Sequence, residues 1–223
     1  MPAPVTYLFD PICGWCYGAA PQISRLRAAI GDDKIQGLPV GLFAGEYARP
    51  MNAEFRDYAW SNDQRILQIT GQPFSQLYFD QVLSNFDAPL DSGPPTLAFA
   101  VAEMLRQGSG LALLERMQKA RFVEGRDLTE PDTLFDLAAE LGHERDGFAA
   151  AFDSDDGFQA AQSALDQGNV LMGRLRLRGV PALAVSHGDH FHPIAGGVLI
   201  DPAAGLVEKL TDQINNPGAH ADH

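Results

Sequence analysis

Cys13 and Cys16 are the only two cysteines in the 223-residue chain, and they stand together in one Cys-Gly-Trp-Cys run. The thiolate is the nucleophile of disulfide exchange and also a metal ligand, so a CxxC pair offers two chemistries. In the first, one thiolate attacks a disulfide sulfur and the second thiol resolves the mixed disulfide. In the second, the pair forms half of a zinc site, which wants four ligands. His187, His190 and His192 are the clustered candidates to complete such a set. A plain buried pair without chemistry is the third reading. What surrounds the pair decides between them.

Val5-Thr6-Tyr7-Leu8-Phe9 is β-rich and largely apolar, as a buried parallel strand is. Asp10-Pro11-Ile12 makes a turn. From Cys13 to Ile30 the pattern is helical, with Ile23, Leu26 and Ile30 spaced by three and four. Pro21 predicts a kink, and Gly31-Asp32-Asp33 stops the helix. A CxxC pair between a strand and a helix is the arrangement of redox exchange. The helix start carries about +0.5 of a charge and unpaired N–H groups, which favour a thiolate at Cys13. Cys13 is therefore read as the exposed attacking thiol, and Cys16, one turn on, as the resolving one. Gly14 permits close approach of a partner backbone. Trp15 offers an apolar contact to substrate or packs over the helix start. Asp10 is read as a solvated turn residue.

The remaining elements must build a fold around this junction. Ile35 to Phe43 reads as a second strand, weakened as a central strand by Pro39. Residues 46 to about 170 read as helices separated by Gly and Pro breaks. Asn52, Ser92 and Thr129 mark their starts. Phe99, Val101, Met104 and Leu105 form one apolar group, Leu113, Leu114, Met117 and Phe122 another, and Leu134, Leu137, Ala138 and Leu141 a third. Gly179-Val180-Pro181 leads into a strand at Ala182-Leu183-Ala184-Val185. Ser186-His187-Gly188-Asp189 is turn chemistry, His190-Phe191 begins a returning strand, and Gly196-Gly197 breaks it. Asp201-Pro202 opens a last helix through Leu210. Arg174, Arg176 and Arg178 either face the active site and attract acidic substrates or sit solvated at a helix end. Tyr47, Trp60, Tyr78 and Phe79 are read as core more readily than as a peptide groove.

Composition narrows the class. Hydrophobic residues make up 45% of the chain, enough for a core without staples. A Cys13–Cys16 bridge would close only a tiny loop, so it is no scaffold disulfide. A formal charge of −13 argues against nonspecific binding to nucleic acid or anionic membrane. No apolar run reaches the roughly 18–20 residues needed to span a bilayer. Residues 1–10 lack a basic and then apolar leader, so a cytoplasmic location is expected. In a reducing cytosol a lone CxxC is catalytic or redox-sensing rather than structural.

The order β-α-β, long helical stretch, β-β-α resembles the DsbA-like thioredoxin fold, in its FrnE-like, protein-disulfide-isomerase branch. The resemblance rests on Phe9-Asp10-Pro11-Ile12-Cys13-Gly14-Trp15-Cys16-Tyr17, on Phe122-Val123-Glu124-Gly125-Arg126-Asp127 and on Gly179-Val180-Pro181. It implies an α/β thioredoxin fold with a large all-helical insertion. Residues 1–45 plus 175–214 would form the thioredoxin-like domain, 46–174 the helical insertion, and 215–223 a flexible tail. It implies a cis Val180–Pro181 bond, with the Val180 backbone free to pair with an extended peptide. The activity implied is thiol–disulfide exchange with protein or peptide thiols and disulfides, through the Cys13–Cys16 pair and without a bound cofactor or metal. Glutathione or a thioredoxin-type protein would recycle the pair. The inner Gly-Trp departs from the Pro-His of typical DsbA proteins. Two other readings stand beside this one. The first is a glutathione-using transferase or isomerase of the kappa or hydroxychromene-carboxylate type, which relies on a single Ser or Cys-like position. The second is a noncatalytic peptide-binding or chaperone module.

Overall fold

Alternation along the first strand dictates a two-faced sheet. In β1 (Val5–Phe9) every residue is buried. Val5, Tyr7 and Phe9 turn to one apolar core, and Leu8 turns to another on the opposite face. Such a strand belongs at the centre of a sheet covered on both sides. The computed structural model, which describes residues 4–187 and 190–215, places it there. The sheet order is β2-β1-β5-β6, with β2 at Ile35–Pro39, β5 at Ala182–His187 and β6 at His190–Ala195. β1 runs parallel to β2, from Val5 opposite Ile35 to Phe9 opposite Pro39. It runs antiparallel to β5, with Leu8 opposite Ala182, and β6 returns antiparallel along β5. β5 alternates as β1 does: Leu183 and Val185 face the larger core, Ala182 and Ala184 the smaller.

The second strand is shorter than the Ile35–Phe43 read from the sequence. It ends at Pro39, opposite Phe9 where β1 itself stops, and β2 is an edge strand, where proline is tolerated. Helix α1 (Gly14–Ile30) packs Ile23, Leu26 and Ile30 into the larger core and runs through Pro21. After β2 come a two-residue strand pair, β3 (Arg49–Pro50) and β4 (Pro89–Leu90), which sequence periodicity cannot show at that length. Between them lie α2 (Ala53–Thr70) and the short α3 (Gln76–Tyr78), which widens into a π-turn at Phe79–Leu83. Then follow α4 (Gly93–Leu105), α5 (Gly110–Phe122), α6 (Pro131–Glu140), α7 (Arg145–Phe152) and α8 (Asp155–Arg174).

Caps explain several starts. The Asn52 side chain accepts from the Phe55 N–H at 2.8 Å, and Ser154 accepts from Gly157 at 3.0 Å. At α6 the cap is Glu130 rather than Thr129, because Pro131 is already the first helical residue. Leu113, Leu114, Met117 and Phe122 are buried, as are Leu134, Leu137 and Ala138. Met104 and Leu105 are exposed, contrary to the sequence reading, because α4 ends there and its last turn rises out of the core. Leu171 of α8 covers the sheet's smaller core together with Leu8 and Leu38. Gly196-Gly197 does not merely break a strand: it opens the short helix α9 (Gly196–Leu199). The last helix, α10, spans Leu206–Asn215 and so includes residue 215, which the sequence reading gave to the tail. Residues 216–223, and Gly188 and Asp189 of the hairpin turn, lie outside the described residues.

Candidate active site

The chain leaves β1 at Phe9, turns through Asp10-Pro11-Ile12 and enters α1 with Cys13 as its N-cap. The Cys13 N–H donates to the Asp10 carbonyl at 3.2 Å, and the Cys13 carbonyl accepts from Tyr17 at 3.1 Å. Both thiols are free. Cys13 is only 7% exposed and Cys16 is fully buried. The sequence placed Cys13 in the open; the structure puts it at the floor of a pocket instead, because α2 and the Leu42-Phe43 segment wall it in. Burial pushes the Cys16 thiol well up, and the neighbouring Cys13 sulfur adds to this. Beneath the pair, the Tyr7 hydroxyl donates to the Cys16 carbonyl at 3.3 Å.

Asp10 is completely buried, which corrects the reading of a solvated turn residue. Its Oδ1 accepts from the Ile12 N–H at 3.0 Å, and its Oδ2 accepts from the Ser92 hydroxyl at 2.7 Å. Burial raises its pKa; Ser92 and the N–H groups of Ile12, Phe43 and Leu42 pull against that. Its two hydrogen bonds make Asp10 the knot that ties the CxxC turn to the start of α4.

The pocket over Cys13 holds about 150 Å³. Cys13, Gly14 and Trp15 form its base, and Phe43, Phe55 and Tyr58 line it with Asp63, Tyr78 and Arg121. At Gly14 the space that a side chain would take is already filled. A side chain there would collide with the Asp63 carboxylate and touch Ile66 of α2. Trp15 is half-buried, packed on the larger core, with the Arg65 guanidinium 5.9 Å from its ring centroid. Asp63 is 4% exposed and its Oδ2 has no hydrogen-bond partner among the described residues. Burial pushes its carboxyl up to about 7, against the pull of the Tyr78 hydroxyl and the Arg121 charge. Arg121 is equally buried, and its Nε is unpartnered.

Asp63, Arg121, Phe43 and Phe55 were not read from the sequence as site residues. A signal for two of them exists. Asp63 lies three residues before buried Ile66, on the same face of α2, and Arg121 lies four after buried Met117 on the inward face of α5. An acid and a base on apolar stripes are worth pairing.

The other read residues scatter. The Val180–Pro181 bond is cis; Pro181 is buried, and Val180 packs on both cores. Arg174 closes α8 with its guanidinium 5.0 Å from the Phe191 ring centroid, and neither it nor Arg176 or Arg178 lines the pocket. Tyr78 is buried and lines the pocket, Trp60 and Phe79 are half-buried against the core, and Tyr47 is 62% exposed rather than core. Among the described residues no group of three or more His, Cys, Asp or Glu side chains is placed to hold a metal.

A buried CxxC at a helix start, on a four-stranded mixed sheet with a cis-proline before the third strand of that sheet, sets the comparison with known proteins. Residues 5–203 match the model of the DSBA-like thioredoxin domain. The chain belongs to that family. Among solved structures it is similar to the cytosolic disulfide reductase DsbM from Pseudomonas aeruginosa, with a TM-score of 0.84 and 35% identity over 95% of this chain and 98% of that one. A structure of DsbM with GSH matches at a TM-score of 0.82. A 2-hydroxychromene-2-carboxylate isomerase shares the fold at a TM-score of 0.60 and 19% identity, covering 96% of this chain and 97% of the isomerase. Among curated proteins the ClpXP adapter SpxH of Bacillus subtilis is 24% identical over 163 residues, which is 70% of this chain and 50% of the adapter's length. No helix among the described residues is long and apolar enough to cross a membrane.

Proposed function

We propose that the chain is a thiol–disulfide oxidoreductase working through Cys13 and Cys16 in the reducing direction. The observation that carries this is the placement of the pair: Cys13 caps α1 at the base of a pocket, and Cys16 lies buried one turn below it. The Cys13 thiolate attacks one sulfur of a substrate disulfide, forming a mixed disulfide and releasing one substrate thiolate. The Cys16 thiol, giving up its proton, then attacks the Cys13 sulfur and releases the second substrate thiol. Two electrons pass to the substrate, and the pair is left as a disulfide. No bound cofactor or metal takes part in this scheme. Isomerisation of protein disulfides would use the first step and let a substrate thiol displace Cys13.

Membership in the DSBA-like family and the likeness to DsbM support the chemistry and a cytoplasmic setting. GSH in the DsbM structure supports glutathione as a partner that reacts with or regenerates the pair. Peptide disulfides would lie along the Val180 backbone next to the cis-proline. The helical unit, residues 46–174, supplies the pocket wall and so the choice of substrate. Cys13→Ser is expected to abolish reduction of insulin, and Cys16→Ser to accumulate mixed disulfides visible on non-reducing gels. Turnover retained by Cys13→Ser would overturn the assignment.

A further inference from the structure

The protein carries a formal charge of −13, yet two arginines lie over aromatic rings that line this pocket and a third lines it itself. Arg49 lies over the Phe55 ring at 4.9 Å and the Phe43 ring at 5.7 Å. Arg65 lies over Trp15, and Arg121 stands inside the pocket, 5.7 Å from the Tyr78 ring centroid. Other arginines are held by carboxylates: Arg116 pairs with Glu124 and Glu140, and Arg145 with Asp132 and Asp136. Arg49, Arg65 and Arg121 have no ion-pair partner within 4.0 Å among the described residues. Aromatic faces hold these guanidinium groups in place while engaging none of their N–H donors, and Arg49 and Arg65 are exposed. Asp63 is the one carboxylate among the pocket-lining residues. Close in sequence to the mouth, Asp57 is held by Arg56, and Glu46 and Glu54 are exposed.

We infer that Arg49, Arg65 and Arg121 form a cationic collar that selects disulfides carrying carboxylates, so that the substrate is an acidic disulfide rather than a neutral or basic one. This rests on the oxidoreductase reading above and adds the substrate's charge to it. A local positive field on an otherwise acidic surface steers anions to Cys13 and repels cations, and charge-assisted bonds from two guanidinium edges then hold the carboxylates.

The test is the rate at which three disulfides oxidise the reduced protein: glutathione disulfide, neutral 2-hydroxyethyl disulfide and cationic cystamine. Each rate is divided by the same disulfide's rate with dithiothreitol, which removes its intrinsic reactivity. The normalised order is expected to be glutathione disulfide, then 2-hydroxyethyl disulfide, then cystamine. The spread should collapse in about 1 M sodium chloride, where the screening length is roughly 3 Å. In the Arg49→Gln, Arg65→Gln double variant the ratio of glutathione disulfide to 2-hydroxyethyl disulfide should fall by about tenfold, the low end of electrostatic steering. Arg25→Gln, on an exposed arginine paired with Glu208 across from α10, should keep the wild-type ratio. A wild-type protein indifferent to substrate charge, or a double variant with the wild-type ratio and salt dependence, overturns the collar. Failure of all three disulfides to oxidise the pair overturns the oxidoreductase reading instead.

Discussion

Asp63 is the residue whose chemistry depends most on where the fold puts it. On an exposed helix it would be an ordinary carboxylate. Here its carboxyl sits against Gly14, beside Tyr78 and Arg121, with one oxygen unpaired, and burial raises its pKa from 3.8 to about 7. The sign of the consequence follows from linkage. A folded-state pKa above the unfolded value means the native form holds a proton that the unfolded chain has released. The stability from this proton is fully present below about pH 4 and is lost as pH rises through about 7. Asp63→Asn keeps the shape and stays neutral. Its stability relative to wild type should therefore rise between about pH 4 and pH 8 and level off above, by at most roughly 4 kcal/mol. Arg121 loses its carboxylate neighbour in this variant, which shifts the whole curve but not its slope. Urea unfolding at several pH values measures the slope, and a flat difference would mean that Asp63 does not titrate in this range.

At the level of elements, the candidate site is an interface between α1 and α2. Gly14 and Gly18 lie one turn apart on α1, and both face Ile66. A Cβ on Gly18 would come within 2.7 Å of the Ile66 Cγ2, and one on Gly14 would run into Asp63. Two missing side chains are what let α2 lie close enough to wall in Cys13. Gly18→Ala is expected to cost about 1–3 kcal/mol by overpacking, with an opposing gain in helix propensity of roughly 1 kcal/mol. Gly14→Ala should do the same and also displace Asp63, so that Cys13 reacts faster with iodoacetamide as the pocket opens. Unchanged alkylation with unchanged stability would show that α2 is not held in place by these glycines. The same interface marks what the sequence could and could not reveal. The CxxC, its helix and the strand before it are local, and periodicity and a short motif read them directly. The site's polar groups are not local. Asp10 looked like a turn residue because Ser92, which satisfies it, lies 82 positions away. Asp63, Tyr78 and Arg121 come from three separate elements, and only the packing of the helical unit on α1 brings them to Cys13. Cys13 looked exposed for the same reason: a helix start is open until another element covers it.

For the whole molecule, the direction of electron flow is a question about stability. A strong oxidant of this fold is one whose dithiol form is the more stable, and its potential lies near about −120 mV; a reductant lies near about −270 mV. The dithiol form gains no charge stabilisation at Cys16. The Cys16 thiol is buried where ionisation is disfavoured, and the inner Gly-Trp pair has no titratable group. The field of the pocket is divided, because Arg121, the one buried basic residue among the described residues, faces a carboxyl, Asp63, rather than standing alone. With the Cys16 thiol disfavoured as an anion and the Arg121 charge shared with Asp63, closing the Cys13–Cys16 bond should leave the fold as stable as before or more so. We therefore expect the disulfide form to unfold at a higher denaturant concentration than the dithiol form, with a potential on the reducing side of the range. The gap between the two poises, about 150 mV, corresponds to roughly 7 kcal/mol, so parallel urea titrations of the oxidised and reduced protein resolve the sign. A dithiol form that outlasts the disulfide form would mark an oxidant. Such a result would assign the carboxylate-bearing thiols drawn in by the arginine collar as electron donors to the pair, with the released disulfide as product.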